Sequence, residues 1–201
     1  TLRSQALVGL TMLLLLLGAA AIFLIAQGSR PGKEESFPID KNSVHRLQAI
    51  AVEYLHEGGR SELVGILSRK VLARDGLGPG SSSMDKAVSL HAYVRSLPYT
   101  SDPPDIERIQ SPERIAHILL TGGTPALDCD DSSIFLGALA ISVGIPSGVS
   151  FLDTNRDGIL DHAIATLYVD GKIYYAETTV PTKAIGWKPE TSRVESVPLQ
   201  V

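Results

Sequence analysis

The sequence predicts an α+β fold, four or so helices followed by three or more antiparallel strands. Two observations carry that expectation. Apolar residues recur at helical spacing from Val44 to Val143, and the pattern then changes to short β-branched and aromatic runs around an Asp170-Gly171 turn signal. A third observation sets the organisation of the chain, because Ser4 to Ser29 contains no charged residue. The expected division is a hydrophobic helix over 1–28, a linker over 29–42 and a folded domain over 43–201.

The elements follow in order. Gly28 to Asp40 is polar, with two prolines, and reads as linker. Ser43 is placed to cap a helix over Val44–Glu57, with Leu47, Ala51, Tyr54 and Leu55 on one face and Gly58-Gly59 as the stop. A second helix is expected from Ser61 to Arg74, ended by Gly76. A third is expected from Asp85 to Leu97, with Ser82 and Asp85 in capping-box positions. Tyr99 to Gln110, with its acids and paired prolines, reads as irregular. Ser111-Pro112-Glu113 opens a fourth helix, proline being tolerated in the first turn. The helix from Cys129 to Val143 is apolar on nearly all sides and is the expected buried centre. Val149–Phe151, His162–Val169 and Lys172–Glu177 read as strands, the last two joined as a hairpin by Asp170-Gly171. The tail from Pro181 reads as loop.

Composition narrows the function classes. A formal net charge of −4 leaves no basic footprint, so nucleic acid is not an expected partner. One cysteine excludes an internal disulfide and a cysteine metal cluster.

The 24 residues Ser4–Gln27 would form a helix of roughly 36 Å, enough to cross a hydrocarbon core of about 30 Å. The run is longer than the apolar region of a signal peptide, and Thr1 in place of Met reads as a processed terminus. Two readings stand: a single-pass anchor for a membrane-anchored, extracellular or cell-surface domain, and a helix packed into a filament core. Arg3-Ser4-Gln5 before the apolar run, with the small residues Gly18 to Ala21, resembles the N-terminus of type IV pilin-like subunits, including archaeal ones. Gln5 stands where many members carry glutamate. That resemblance implies self-assembly through residues 4–27 into a homo-oligomer or extracellular filament, with the domain as an outer head.

Three residues in the second half have the chemistry of a thiol enzyme. Cys129 is expected at a helix N-terminus, where free N–H groups favour a thiolate. The neighbours Asp128, Asp130 and Asp131 oppose this, so a paired base is required. His162 at a strand start is the candidate base, and Glu177 at the end of the hairpin partner could orient it. Taken singly, a cysteine at a helix start can equally be a small buried hydrophobe, and a histidine at a strand start a loop residue.

The combined order resembles the transglutaminase-like superfamily, related in fold to papain. The matching residues are Asp128-Cys129-Asp130-Asp131, Gly144-Ile145-Pro146, His162-Ala163, Asp170-Gly171-Lys172, Tyr174-Tyr175 and Glu177-Thr178-Thr179. Leu90, Tyr93-Val94 and Pro98-Tyr99 also fit, and the likeness spans Met84 to Thr179. It implies a cysteine-bearing central helix against an antiparallel sheet, with Cys129 as nucleophile, His162 as base and Glu177 as orienting acid. The implied activity is thiol-dependent acyl transfer, or hydrolysis, on a protein or peptide substrate, with no required cofactor. Glutamate departs from the aspartate usual at the third position.

Asp153 to Asp161 (D-T-N-R-D-G-I-L-D) places Asp153, Asn155, Asp157 and Asp161 at positions 1, 3, 5 and 9 of a calcium loop, with Gly158 at 6. Position 12 is Ile164, so the bidentate glutamate is missing. A polar turn held by its own Asx hydrogen bonds is the alternative to Ca2+.

Overall fold

A computed structural model describes residues 18, 20, 21, 32–40 and 42–201. Within them the chain runs β1 (Glu34–Pro38), α1 (Ser43–Arg60), α2 (Glu62–Arg74), α3 (Ser83–Arg95), β2 (Ile106–Gln110), α4 (Pro112–Leu120), α5 (Cys129–Ile141), β3 (Ser147–Asp153), β4 (His162–Val169), β5 (Lys172–Ala176) and β6 (Arg193–Ser196). The fold is α+β with antiparallel sheets.

Helix α5 is the centre. Every residue from Asp130 to Ile141 is buried, because a helix that is apolar all round has no face to give to water. One side of it, through Phe135, Leu136 and Leu139, packs with α2, α3, α4 and the β4 residues Ala165 and Leu167. The other side, through Ile134 and Ile141, packs with α1 (Leu47, Ile50, Tyr54), Ile109 of β2 and Val149 and Phe151 of β3. Helix α1 departs from the sequence reading, since Asn42 rather than Ser43 precedes it and it runs through Gly58-Gly59 to Arg60, whereas α3 and α4 are capped where the sequence indicates. Ser82 Oγ accepts from Asp85 N at 3.1 Å, and Ser111 Oγ accepts from Arg114 N at 3.3 Å ahead of Pro112.

The larger sheet has the order β5-β4-β3-β6, with every neighbouring pair antiparallel. The β4–β5 turn is tight: Val169 pairs with Lys172, and Asp170 and Gly171 both have positive φ, 49° and 81°. That is the conformation for which Asp-Gly is suited, and its twist matches that of the strands.

Three strands depart from the sequence reading. β1 lies inside the segment expected to be linker, and β2 inside the stretch expected to be irregular; the two pair from Glu34↔Gln110 to Pro38↔Ile106. Neither shows apolar alternation. Phe37 is the one buried hydrophobe of β1, and the ribbon is reinforced by Glu34 bridging Arg108 (2.7 Å) and Arg114 (2.8 Å). β6 arises in the tail and pairs with β3, from Ser150↔Ser196 to Asp153↔Arg193.

The hydrophobic N-terminal reading needs correction. The helix expected over residues 4–27, as membrane span or filament core, lies outside the described residues except at Gly18, Ala20 and Ala21. Among the described residues no helix is long and apolar enough to cross a membrane. The reason is physical: a span needs about 20 consecutive apolar residues. Apolar α5 has only 13, and 18-residue α1 is amphipathic, with charged residues from Arg46 to Glu57. The expectation of a membrane-anchored, cell-surface or extracellular protein with a transmembrane helix is therefore withdrawn. The described residues likewise contain nothing that bears on the pilin-like reading.

Close helix packing depends on Gly58 of α1. A Cβ there would lie 2.8 Å from Pro112 of α4 and 2.9 Å from Ala138 of α5, both rigid neighbours. Gly58→Ala gains helix propensity of about 1 kcal/mol, yet the clash should dominate. The expected result is a net loss of about 1–3 kcal/mol in denaturant unfolding; a stabilised variant would show that the helices can part without cost.

Candidate active site

The site is assembled where the N-terminus of α5 meets the start of β4. Asp128 caps α5, its Oδ1 accepting from Asp131 N at 3.3 Å, which puts Cys129 in the opening turn. One turn on, buried Ser133 donates from Oγ to the carbonyl of Ala163 at 3.0 Å. Ala163 follows His162, and its backbone favours the charged form of the Cys129 thiol against burial and the neighbouring acids. The helix start and the strand start are thus stitched together at one residue.

The hairpin brings the acid to the histidine. Ala165 of β4 pairs with Ala176 of β5, so Glu177 emerges beside the start of β4. Glu177 is fully buried, and its Oε2 lies 2.7 Å from His162 Nε2. Its Oε1 accepts from Thr179 N and Thr179 Oγ1, both at 2.7 Å. Burial alone would raise the Glu177 pKa. The hydrogen bond and charge of His162, with the two Thr179 donors, outweigh it and bring the value down to about 2. Glu177 is therefore an acceptor throughout the neutral range. His162 Nε2 must carry the proton it donates, and Nδ1 is left as the basic nitrogen. Among the described residues no hydrogen bond joins that ring to the thiol; such contacts commonly tighten only when substrate is bound.

A second histidine, absent from the sequence reading, supports the acid. His91 of α3 is buried and its Nε2 donates to the Glu177 carbonyl oxygen at 2.6 Å. Burial holds it below the usual histidine range, with the Glu177 contact opposing less strongly. Its position on an apolar helix face offers no sequence signal, since a buried histidine looks like any core residue until its partner is known.

Around the thiol the charge is negative. Ligating atoms of Asp128, Cys129 and Asp130 lie within 4.8 Å of one another, and so do those of Asp102, Glu107 and Asp128. Asp131 is held by Gln110, whose N and Nε2 donate at 2.7 and 3.1 Å. The half-buried thiol is pushed well above its ordinary value by burial and then by Asp130 and Asp128, against the Ala163 backbone. Glu107 is raised to about 7 by burial and by Asp128 and Asp102. The opposition of the neighbouring aspartates was legible in the sequence; Asp102 and Glu107, brought in by β2 and the loop before it, were not.

The expected calcium loop is closed by its own hydrogen bonds. Asp153 accepts from Arg156 N (2.7 Å), Gly158 N (3.0 Å) and Ser192 Oγ. Asp161 accepts from Thr154 N (2.8 Å), Asp157 from Ile159 N (2.8 Å), and Asn155 from Asp157 N (3.0 Å). The Asn155 and Asp157 contacts are Asx turns, and those of Asp153 and Asp161 tie the ends of the loop together. The carboxylates of Asp153, Asp157 and Asp161 are not among the groups that converge within 4.8 Å. A cavity of about 440 Å³ between Arg69, Leu72, Leu77, Lys86 and Val143 lies at the other end of α5, roughly 20 Å from Cys129, and shares no residue with the site.

Two outcomes test this electrostatic picture. Because the folded pKa of Glu177 lies below its ordinary 4.5, its contribution is complete above that value and is lost as pH falls towards 2. The parent should lose about 3 kcal/mol more stability than Glu177→Gln across that window; equal acid sensitivity would contradict the shift. At neutral pH, with a chelator present, Cys129 should alkylate more slowly than a free peptide thiol, and faster in Asp130→Asn than in the parent.

Comparison with known proteins places no family on the chain. No protein-family model matches it, and no curated protein does. Among solved structures it is similar to a protein from Parabacteroides distasonis ATCC 8503 described as a "putative protease", with 12% identity and a TM-score of 0.44 over 66% of this chain and 26% of that one. The chain thus spans about a quarter of that protein's length, and the likeness is too slight to carry a fold or a function across.

Proposed function

We propose that this chain is a transglutaminase-like cysteine enzyme that transfers or hydrolyses acyl groups of a protein or peptide substrate. The observation that carries the reading is the hydrogen bond of 2.7 Å between His162 and the buried Glu177, His162 opening a strand whose next residue is bonded to the helix bearing the lone cysteine. A cysteine helix packed on an antiparallel sheet, with histidine and acid on neighbouring strands, is also the arrangement expected from the resemblance to that superfamily.

The electrostatics favour one version of the mechanism. A thiol held protonated by burial and by aspartates is not a standing thiolate. It attacks with base assistance: Cys129 Sγ bonds to the substrate carbonyl carbon as its proton passes to His162 Nδ1. The oxyanion is met by N–H groups of the opening turn of α5. The imidazolium, stabilised by ionised Glu177, returns the proton to the leaving amine, and a thioester remains. Water or a second amine then attacks the thioester carbonyl, with His162 again taking the proton. Water gives hydrolysis, and an amine gives transfer.

The full chain incubated with casein and a labelled primary amine should incorporate label or release peptides, and Cys129→Ala should abolish both. Glu177→Gln should lower kcat by about a hundredfold or more with little change in KM, as expected for loss of an orienting acid. Undiminished turnover in Cys129→Ala would overturn the reading.

A further inference from the structure

Among the described residues, none of Asp102, Glu107, Asp128, Asp130 and Asp131 at or around the start of α5 appears in an ion pair with lysine or arginine; Arg108 of β2 and Arg114 of α4 both pair with Glu34. Burying several carboxylates without compensation is costly, so each needs a hydrogen bond, a proton or a cation.

Most of them have one of the first two. Asp131 accepts twice from Gln110, Asp102 accepts from the Arg108 backbone, and Glu107 is raised to about 7 by burial and by Asp128 and Asp102, so it holds a proton through the lower part of the neutral range. Asp130 has no hydrogen-bond donor among the described residues, and burial with the neighbouring Asp128 pushes its carboxyl well above the usual carboxylate range. It is 3% exposed, and its Oδ2 is buried with no hydrogen-bond partner. Asp130 is also one of the three residues whose ligating atoms, with Cys129 Sγ and an Asp128 oxygen, converge within 4.8 Å. An unpartnered oxygen on a buried carboxylate that itself joins a converging S,O,O set is what a metal ion would satisfy.

We propose that the opening turn of α5 binds one divalent transition-metal cation of the zinc class through Cys129 Sγ and carboxylate oxygens of Asp128 and Asp130. The donor set selects the metal. A thiolate favours zinc over calcium or magnesium, which take oxygen ligands. Tetrahedral ligands at about 2.0–2.3 Å from zinc sit roughly 3.5 Å apart, inside the 4.8 Å within which the three donors converge. Three protein ligands leave a fourth position open. On binding, the thiol and the Asp130 carboxyl lose their protons to solvent as the Zn–S and Zn–O bonds form, so no oxidant or reductant is involved. A single dication also compensates the negative charge that otherwise crowds the thiol. The site itself rests on geometry alone; its consequence, a thiol blocked while metal is bound, rests on the acyl-transfer reading.

The test uses the full chain, with cobalt as spectroscopic probe and zinc for stoichiometry. Equilibrium dialysis should find about one zinc per chain. Cobalt should give a sulfur-to-metal charge-transfer absorption in the near ultraviolet that zinc abolishes and Cys129→Ser lacks. Asp130→Asn should weaken binding about tenfold or more, with its metal-free melting temperature confirming that it folds. If that variant does not fold, the charge-transfer absorption of the parent and its displacement by zinc decide the matter. Absent binding, cobalt bound without that absorption, calcium displacing cobalt at equal concentration, or unchanged affinity in folded Asp130→Asn would each overturn the site. Zinc should also stop turnover, reversibly with a chelator. A zinc-loaded chain that still turns over substrate would count against the acyl-transfer reading while leaving the metal site standing.

Discussion

The burial of α5 is the constraint on which everything else depends. A helix with Ile134, Phe135, Leu136 and Leu139 pointing in different directions must be enclosed on all sides. Four amphipathic helices, one ribbon and one sheet provide that enclosure. Burying one large aliphatic or aromatic side chain is worth about 1.5–3 kcal/mol, so the core of α5 outweighs any single polar contact at its end. The N-terminus of α5 is consequently held rigidly against β4. That rigidity fixes the start of β4, where His162 holds the buried Glu177 carboxylate, against the start of the helix that bears the thiol.

The site shows two electrostatic environments side by side. Glu177 sits among donors: Thr179 twice and His162 once, with His91 holding its main chain. It stays ionised although buried. Cys129 sits among acceptors and acids, and its charged form is disfavoured. The histidine stands between them, tethered on one nitrogen and open on the other. Such a division suits a nucleophile activated at the moment of reaction. It also suits a cation, which would invert the local charge balance.

How far the site was legible in the sequence follows from how local each signal is. The caps at Ser82 and Ser111, the Asp170-Gly171 turn and the apolar period of the helices all act within a few residues, and each was read at the right place. The span of α5 and the pairing of His162 with Glu177 follow from the hairpin, whose register is set by a two-residue turn. β1, β2 and β6 were missed because their pairing partners are remote and their own patterns are polar. Glu34 to Pro38 is a strand only because Ile106 to Gln110 lies beside it. In the aspartate-rich loop the spacing suits calcium, while backbone N–H groups of the loop also donate to Asp153, Asn155, Asp157 and Asp161, and composition alone does not reveal which way a carboxylate turns.

The sequence by itself determined the helices, the hairpin and the order in which a cysteine, a histidine and a glutamate appear, because periodicity and turn chemistry are short-range. Only the tertiary structure decided that Ala163 is shared by thiol and helix, that His91 braces the acid, and that Asp102 and Glu107 join the aspartates around Cys129. Those contacts connect residues tens of positions apart, and what brings them together is the enclosure of α5 rather than any local preference of the chain.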